Sequence, residues 1–146
     1  MTEAAPAVPY DDAIAQRFLG HAKGGGGLPV YLGFELCEAG PGFMIGRFAV
    51  RDELLTPFGN MHGGVLSAFC DHLLGCVCYP AMKPGQWAAT TEFKINLTAP
   101  VSKGTVEGRA EIVSLSRTQA IVRIDVSNEG RMAAMAQGTV TIRDPR

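Results

Sequence analysis

From residue 87 onwards, apolar and polar side chains alternate along the chain with a period of two. Short connections with the sequences PVSKG, LSRT and SNEGR divide this stretch into four segments. A period of two is typical of β-strands with one buried face, and short connections favour antiparallel pairing. In the first segment the pattern predicts one face with Trp87, Ala89, Thr91, Phe93, Ile95 and Leu97, and an opposite face with Thr90, Glu92, Lys94 and Asn96.

The first half of the chain predicts fewer elements. Residues 10–20 suit a short helix, with Asp11 or Asp12 near its N-cap. Two β-prone runs at 29–40 and 43–50 surround a Gly-Pro-Gly turn and predict a hairpin. Apolar residues at helical spacing predict a long helix from 63 to 79, ended by Pro80. The four glycines at 24–27 interrupt regular structure.

These elements predict an α+β fold. Six antiparallel strands have one apolar face to bury, and a single long apolar helix must be buried as well. A curved six-stranded antiparallel sheet wrapped around a long central helix satisfies both requirements. We expect one domain over residues 10–146, with a short N-terminal helix, preceded by a flexible arm at 1–9.

Composition excludes several classes of function. The formal net charge is −1 and no basic cluster occurs, so we expect no nucleic-acid partner. No apolar run reaches the roughly 18 residues of a membrane span. The N-terminus MTEAAPAVPYDD lacks the features of a signal peptide, which favours a cytoplasmic protein. The four cysteines have no zinc-binding spacing, so no metal site is predicted and we interpret them as packed, reduced thiols.

The predicted start of the central helix, within GNMHGGVLSAFCD, carries residues suited to catalysis. The first turn of a helix has N–H groups without intrahelical partners, and the helix dipole adds positive potential there. Gly63 and Gly64 would let a ligand approach this backbone closely and would form an oxyanion hole. The alternative is that the glycines serve only a tight helix start.

Asp71 is an unusual residue for an apolar helix. It follows Gly63 by eight residues, so the two are roughly 12 Å apart on one helix and cannot both contact one carbonyl carbon. A shared role therefore requires a second subunit, with antiparallel central helices in a two-fold dimer. The carboxylate would attack an acyl carbonyl or activate a water. The structural alternatives are a carboxylate paired with an arginine or simply solvated.

The segments GNMHGGVLSAFCD, TTEFKINLTAP and GTVEGRAEIVSLSRTQAIVRIDV resemble the hotdog-fold acyl-CoA thioesterases, and in particular the phenylacetate-degradation (PaaI-like) type. The resemblance extends from about residue 30 to residue 142. It implies the hotdog fold, a homodimer with a continuous sheet and often a homotetramer of two dimers. It also implies metal-independent hydrolysis of an acyl-CoA substrate, with no cofactor other than the coenzyme A of that substrate.

The resemblance also implies catalytic roles. The backbone N–H of Gly63, with that of Gly64, would bind the thioester oxygen, and Asp71 of the other subunit would be the nucleophile or base. His62 would orient or polarise groups beside the thioester, and Thr90 or its neighbour Thr91 would lie near the attacking water.

Substrate-binding roles follow in the same way. Arg117 lies where the family often has a basic residue near the phosphates of coenzyme A. Thr56 occupies the position of a common family Asn or Gln, and Asn60 is the candidate to replace it. We interpret His72 as a packed histidine and Trp87 as a core residue.

Two alternative functions stay open at this point. One is a hotdog dehydratase or hydratase, although those enzymes use an acid and a histidine at a different spacing. The other is a non-hydrolytic protein that binds or senses acyl-CoA, which the departure at Thr56 and the glycine-rich loop leave open.

Overall fold

The structure is a computed structural model that describes residues 7–21 and 26–146. Its helices are α1 (Asp12–Phe18), α2 (Leu28–Leu32) and α3 (Gly63–Cys76), with 3-10 turns at Asp52–Leu54 and Tyr79–Ala81. Its strands are β1 (Gly20–His21), β2 (Glu35–Gly40), β3 (Phe43–Ala49), β4 (Trp87–Leu97), β5 (Thr105–Leu115), β6 (Gln119–Asn128) and β7 (Arg131–Arg143).

All strands join one antiparallel sheet in the order β1-β2-β3-β5-β6-β7-β4. The six long strands are those predicted from the sequence. The seventh, β1, has two residues and extends the sheet beyond β2. The other edge of the sheet is β4, which has 11 residues and pairs only with β7 in the described chain.

The helix α3 lies against one face of this sheet and contacts every strand from β3 to β7. Its buried side chains are Leu66, Phe69, Cys70, Leu73, Leu74 and Cys76. They meet the apolar face of the sheet, where the alternate residues Val122, Ile124 and Val126 of β6 are fully or almost fully buried. The predicted α+β arrangement of a sheet around one central helix is therefore confirmed.

Within Gly63–Ala81, a stretch of 18 residues reaches the length and hydropathy of a membrane span, with a mean hydropathy of 1.2. The prediction that no apolar run is this long was therefore wrong. The stretch is 56% buried within the domain, because the sheet covers it. A core helix meets the same criteria, so the packing accounts for the composition.

Two predicted boundaries differ from the structure. Residues 29–32 were predicted as the start of a strand but belong to α2, since Pro29 occupies its first turn and Gly33 ends it in the left-handed conformation at φ 76°. The rest of the predicted hairpin is present as β2 and β3. The long helix ends at Cys76 rather than residue 79, and Pro80 lies in the following 3-10 turn.

A β-bulge in β4 changes which residues face the core. The pairing with β7 shifts between Thr90 and Glu92, so Thr91 is the extra residue. Ala88 and Thr90 pair with the buried residues Ile142 and Val140, and therefore lie on the helix-facing side. The predicted alternation was correct only after the bulge.

Trp87 was predicted to fill the core, and this was wrong. It precedes the bulge, lies on the opposite side from Ala88 and is 42% exposed. Because the bulge adds one residue, the strand before it is out of phase with the strand after it.

Other predictions concern the termini and loops. The predicted N-terminal helix is present as α1, and the carboxylate of Asp11 accepts the N–H of Ile14 at 3.1 Å. Residues 1–6 of the predicted arm, and residues 24 and 25 of the glycine loop, lie outside the described residues. Within the described part of the arm, Val8 lies close to Gly42.

We expect Gly138→Ala to destabilise the protein, because there is no space for a methyl group in β7. A Cβ at this position would be 2.6 Å from Cβ of Phe93 and 2.7 Å from the backbone oxygen of Glu92. Overpacking of this kind costs about 1–3 kcal/mol in the free energy of unfolding. Denaturant titration would measure the change. The control is Gln137→Ala on the exposed face of the same strand, which should stay within about 0.5 kcal/mol of wild type. Equal midpoints for both variants would contradict this packing.

Candidate active site

The N-terminus of α3 is fixed by His62. This residue is the N-cap, and its imidazole Nδ1 accepts the backbone N–H of Gly64 at 2.9 Å. Its own N–H donates to the carbonyl of Leu54 at 2.9 Å. Since Nδ1 accepts a hydrogen bond, the neutral ring carries its proton on Nε2. The exposed imidazole therefore has one outward-facing donor.

Gly63 has the free donor at this helix end. Within the described chain its N–H has no hydrogen-bond partner, whereas the N–H of Gly64 is bound by His62 and that of Val65 donates to the carbonyl of His62 at 2.9 Å. The sequence predicted two donors, the backbone N–H groups of Gly63 and Gly64, but only that of Gly63 is available to a ligand. An unpartnered N–H in the first turn of a helix is suited to bind an anionic oxygen.

The loop before the helix brings Thr56 and Asn60 to the same region. The N–H of Thr56 donates to the carbonyl of Asn60 at 2.6 Å, and its hydroxyl accepts the N–H of Phe58 at 3.3 Å. Thr56 therefore holds the loop closed. The side chain of Asn60 is exposed and has no hydrogen-bond partner among the described residues, so it is free to contact a ligand.

Asp71 lies on the exposed face of α3, two turns beyond Gly63. Its carboxylate makes no ion pair and no hydrogen bond with the described residues, so the structural alternative of an arginine partner does not apply. Its neighbours on this face are the small residues Gly64, Ser67, Ala68 and Gly75. The carboxylate is thus accessible, and its one large neighbour at this spacing, Leu74, is buried in the core.

The two threonines of β4 face opposite sides of the sheet. Thr90 is half-buried on the side of α3, whereas the hydroxyl of Thr91 donates to the carbonyl of Thr139 and accepts from the hydroxyl of Thr141. Thr139 and Thr141 face the side of the sheet that is opposite α3. Of the two residues, Thr90 is the one placed to reach a ligand beside the helix.

Arg117 lies far from the N-terminus of α3 at His62, Gly63 and Gly64, which we call the helix mouth, within one chain. It belongs to the β5–β6 turn, at the end of the sheet where β4 begins, whereas Gly63 adjoins Leu97 at the end of β4. Ten residues of strand span about 33 Å. Its side chain is 76% exposed, and its guanidinium lies 3.8 Å from the carboxylate of Asp144. Arg117 and Gly63 thus lie at opposite ends of β4 within one chain.

His72 is packed, in agreement with its interpretation from the sequence. Its ring lies 5.7 Å from that of Phe34 and its Nδ1 lies 3.7 Å from the sulfur of Cys76. Burial lowers the pKa of His72, although the nearby charge of Asp71 opposes this effect, so the ring is neutral at pH 7.

The buried cysteines are poor nucleophiles. Burial raises the pKa values of Cys70, Cys76 and Cys78 to about 12, so they stay protonated. Across residues 7–21 and 26–146, no three His, Cys, Asp or Glu side chains are grouped in a way that could hold a metal ion.

The sequence did not indicate two features of this site. One is the hydrogen bond from Gly64 to His62, which removes one of the two expected donors. The other is the contact of Leu97 with Gly63, since a Cβ on this glycine would lie 2.7 Å from Cδ1 of Leu97. The spacing of His62 and Gly64 permits the first contact but does not require it. The second joins residues that are distant in sequence.

Comparisons with known proteins agree with this architecture. Residues 58–135 match the family model described as the thioesterase superfamily. A 1,4-dihydroxy-2-naphthoyl-CoA hydrolase of Listeria monocytogenes is 22% identical over 121 residues, which are 82% of this chain and 98% of that protein.

Solved structures have the same fold. The PaaI protein of the phenylacetic acid degradation operon of E. coli superposes with a TM-score of 0.73 at 20% identity, over 79% of this chain and 83% of that one. A hypothetical thioesterase of Streptococcus pneumoniae, solved with coenzyme A, gives a TM-score of 0.71 at 25% identity, over 77% and 88% of the two chains. The family match covers more than half of the sequence, and the chain is therefore a hotdog-fold member of the thioesterase superfamily.

Proposed function

We propose that this protein hydrolyses acyl-CoA thioesters at a site that combines the helix mouth of one subunit with Asp71 of the partner subunit. The observation that carries the proposal is the free N–H of Gly63 at the start of α3, beside a histidine whose Nδ1 accepts the N–H of Gly64. The Listeria relative named as a CoA hydrolase and the Streptococcus structure solved with coenzyme A support the substrate class.

The free edge of β4 supports the proposed dimer. An unpaired edge strand of 11 residues offers a row of N–H and C=O groups to a second copy. Antiparallel pairing of two such edges brings the Leu97 end of one strand opposite the first half of the other strand, which carries Thr90. The helix mouth adjoins Leu97, so this arrangement moves it towards Thr90 and Asp71 of the partner subunit.

The surface of α3 also supports this arrangement. The small residues around Asp71 allow close approach of a second helix, and the exposed Phe58, 89% accessible in the single chain, would be covered by a partner. Further exposed apolar residues such as Tyr31 support assembly of two dimers into a tetramer.

The proposed reaction needs few groups. The thioester oxygen accepts the N–H of Gly63, which stabilises the negative charge that develops on it. In one route the carboxylate of Asp71 attacks the carbonyl carbon, the C–S bond breaks, coenzyme A leaves as its thiolate, and water then hydrolyses the anhydride. In the other route the carboxylate takes a proton from a water that attacks directly and expels the same thiolate. In both routes the thiolate takes up the proton that the water gives up. Thr90 would position this water. The Nε2–H of His62 would donate a hydrogen bond to a group beside the thioester and so orient or polarise it. Water and thioester give a carboxylic acid and the thiol of coenzyme A.

We expect Asp71→Asn to lower kcat/KM by about 10²–10⁴, because the amide can neither attack nor accept a proton. Release of the free thiol from a panel of acyl-CoA thioesters would be measured. The matched control is Asp12→Asn, an exposed aspartate in α1, which should behave as wild type. Equal rates for Asp71→Asn and wild type would refute the proposed role of Asp71. Absence of thiol release by wild type across the panel would refute hydrolysis itself.

We expect Gly63→Pro to lower kcat by about 10²–10³, because it removes the proposed oxyanion donor. Gly63 is the first helical residue, where proline fits, and His62 has φ −64° and ψ 130°, as a residue before proline requires. Gly63→Ala adds a similar contact with Leu97 but keeps the N–H, so it should retain most of the activity. If both variants lose activity equally, crowding rather than the N–H is responsible.

We expect heterodimers of Gly63→Pro and Asp71→Asn chains to recover about half of the wild-type activity. If each site uses Gly63 of one chain and Asp71 of the other, one of the two sites in such a dimer is intact. Two different affinity tags would isolate the heterodimer, and each homodimer would serve as an inactive control. Isolated heterodimers that stay inactive would refute a site shared between the two chains.

A further inference from the structure

A cleft of about 290 Å³ opens beside the start of α3. Its lining includes Asn60, Met61, Leu66, Leu97, Pro100 and Val101. Most of these side chains are apolar, and their segments come from the loop before α3, the first turns of α3 and the end of β4 with the residues that follow it. The cleft therefore adjoins the helix mouth and is separate from the face that carries Asp71.

The floor of this cleft is closed by core residues. Val101 is 1% exposed, Leu66 is 3% exposed and both belong to the hydrophobic core. The N–H of Met61 donates to the carbonyl of Val101 at 2.6 Å, which ties two walls of the cleft together. A group that enters the cleft meets apolar side chains that cannot move aside without disturbing the core.

Leu97 stands between the cleft and the free amide. Its Cδ1 would be 2.7 Å from a Cβ on Gly63, and the same side chain lines the cleft and is 54% exposed. A carbonyl oxygen bound to the N–H of Gly63 therefore places the substituents of its carbon next to Leu97. The large apolar side chain of Leu97 therefore adjoins both the cleft and Gly63.

We propose that this cleft, which we call the acyl cleft, holds the acyl group of the substrate, and that Leu97 sets the preferred acyl length. This inference rests on the proposed function. A thioester carbonyl has two substituents: the chain of coenzyme A is polar and extends into solvent, whereas the acyl chain gains free energy by contact with apolar walls. At about 290 Å³ the acyl cleft is larger than a cavity of about 150 Å³ that accepts benzene, so it has room for a short or medium acyl chain or a single aromatic ring.

The substrate class is thus short and medium acyl chains or a single aromatic ring. Each methylene that enters the cleft should raise kcat/KM up to about fourfold, and chains that exceed the cleft gain nothing more. Long-chain acyl groups would have to leave their remaining carbons in water, because Leu66 and Val101 close the floor. We therefore expect an activity optimum below the long-chain range.

The test compares two Leu97 variants across straight-chain acyl-CoA thioesters from acetyl to hexadecanoyl, with kcat/KM measured for each chain length. Leu97→Ala enlarges the cleft and should move the optimum to longer chains by about three carbon atoms, the number it removes. Leu97→Phe fills the cleft and should move the optimum to shorter chains. Met135→Ala, an exposed methionine on the other face of the sheet, is the control and should keep the wild-type optimum.

The readout is the position of the optimum rather than the absolute rate, so a general loss of stability cannot imitate it. Opposite shifts for the two Leu97 variants support the acyl cleft. Unchanged optima in both variants, with hydrolysis retained, overturn this inference and leave the proposed function intact. A wild-type protein that hydrolyses none of the thioesters overturns both.

Discussion

The burial of one helix by one sheet determines this structure. With α3 as the only long helix in the described chain, the sheet has no other large apolar surface to cover, and α3 has no other means of leaving water. Burying a side chain such as Leu or Phe is worth about 1.5–3 kcal/mol, and α3 contributes a row of them. The absence of a side chain at Gly138 lets the helix and the strands approach closely. The position of the helix end relative to β4 follows from this packing.

The same packing divides the candidate site into two parts. The core holds α3 in place, so the free amide of Gly63 adjoins the end of β4, while Asp71 faces outward two turns further along. A helix is too stiff to bring these two groups together. The proposed reaction at one carbonyl would therefore need a second copy of the chain, and the unpaired edge of β4 is the surface that we propose for its pairing.

Much of this arrangement could be predicted from the sequence because it depends on periodicity. Alternation identified the four strands from β4 to β7, and β-prone runs around a Gly-Pro-Gly turn identified β2 and β3. The apolar helix was recognised from its spacing. The bulge at Thr91 was not predictable, since a threonine suits either face of a strand. The helix α2 was missed because Pro29 and Gly33 outweigh the β-propensity of the residues between them. In the site, the donors of the first helical turn were predictable, whereas the use of one of them by His62 depends on a side-chain rotamer.

The hydrogen bond between His62 and Gly64 limits what the helix end can recognise. A helix start with two adjacent free amides would hold both oxygens of a planar carboxylate, and the acid released by hydrolysis would then compete with the next substrate. With one amide already committed inside the chain, a carboxylate finds a single backbone donor at this helix end. The cap formed by His62 would thereby favour release of the carboxylic acid product. The same hydrogen bond fixes the orientation of the His62 ring.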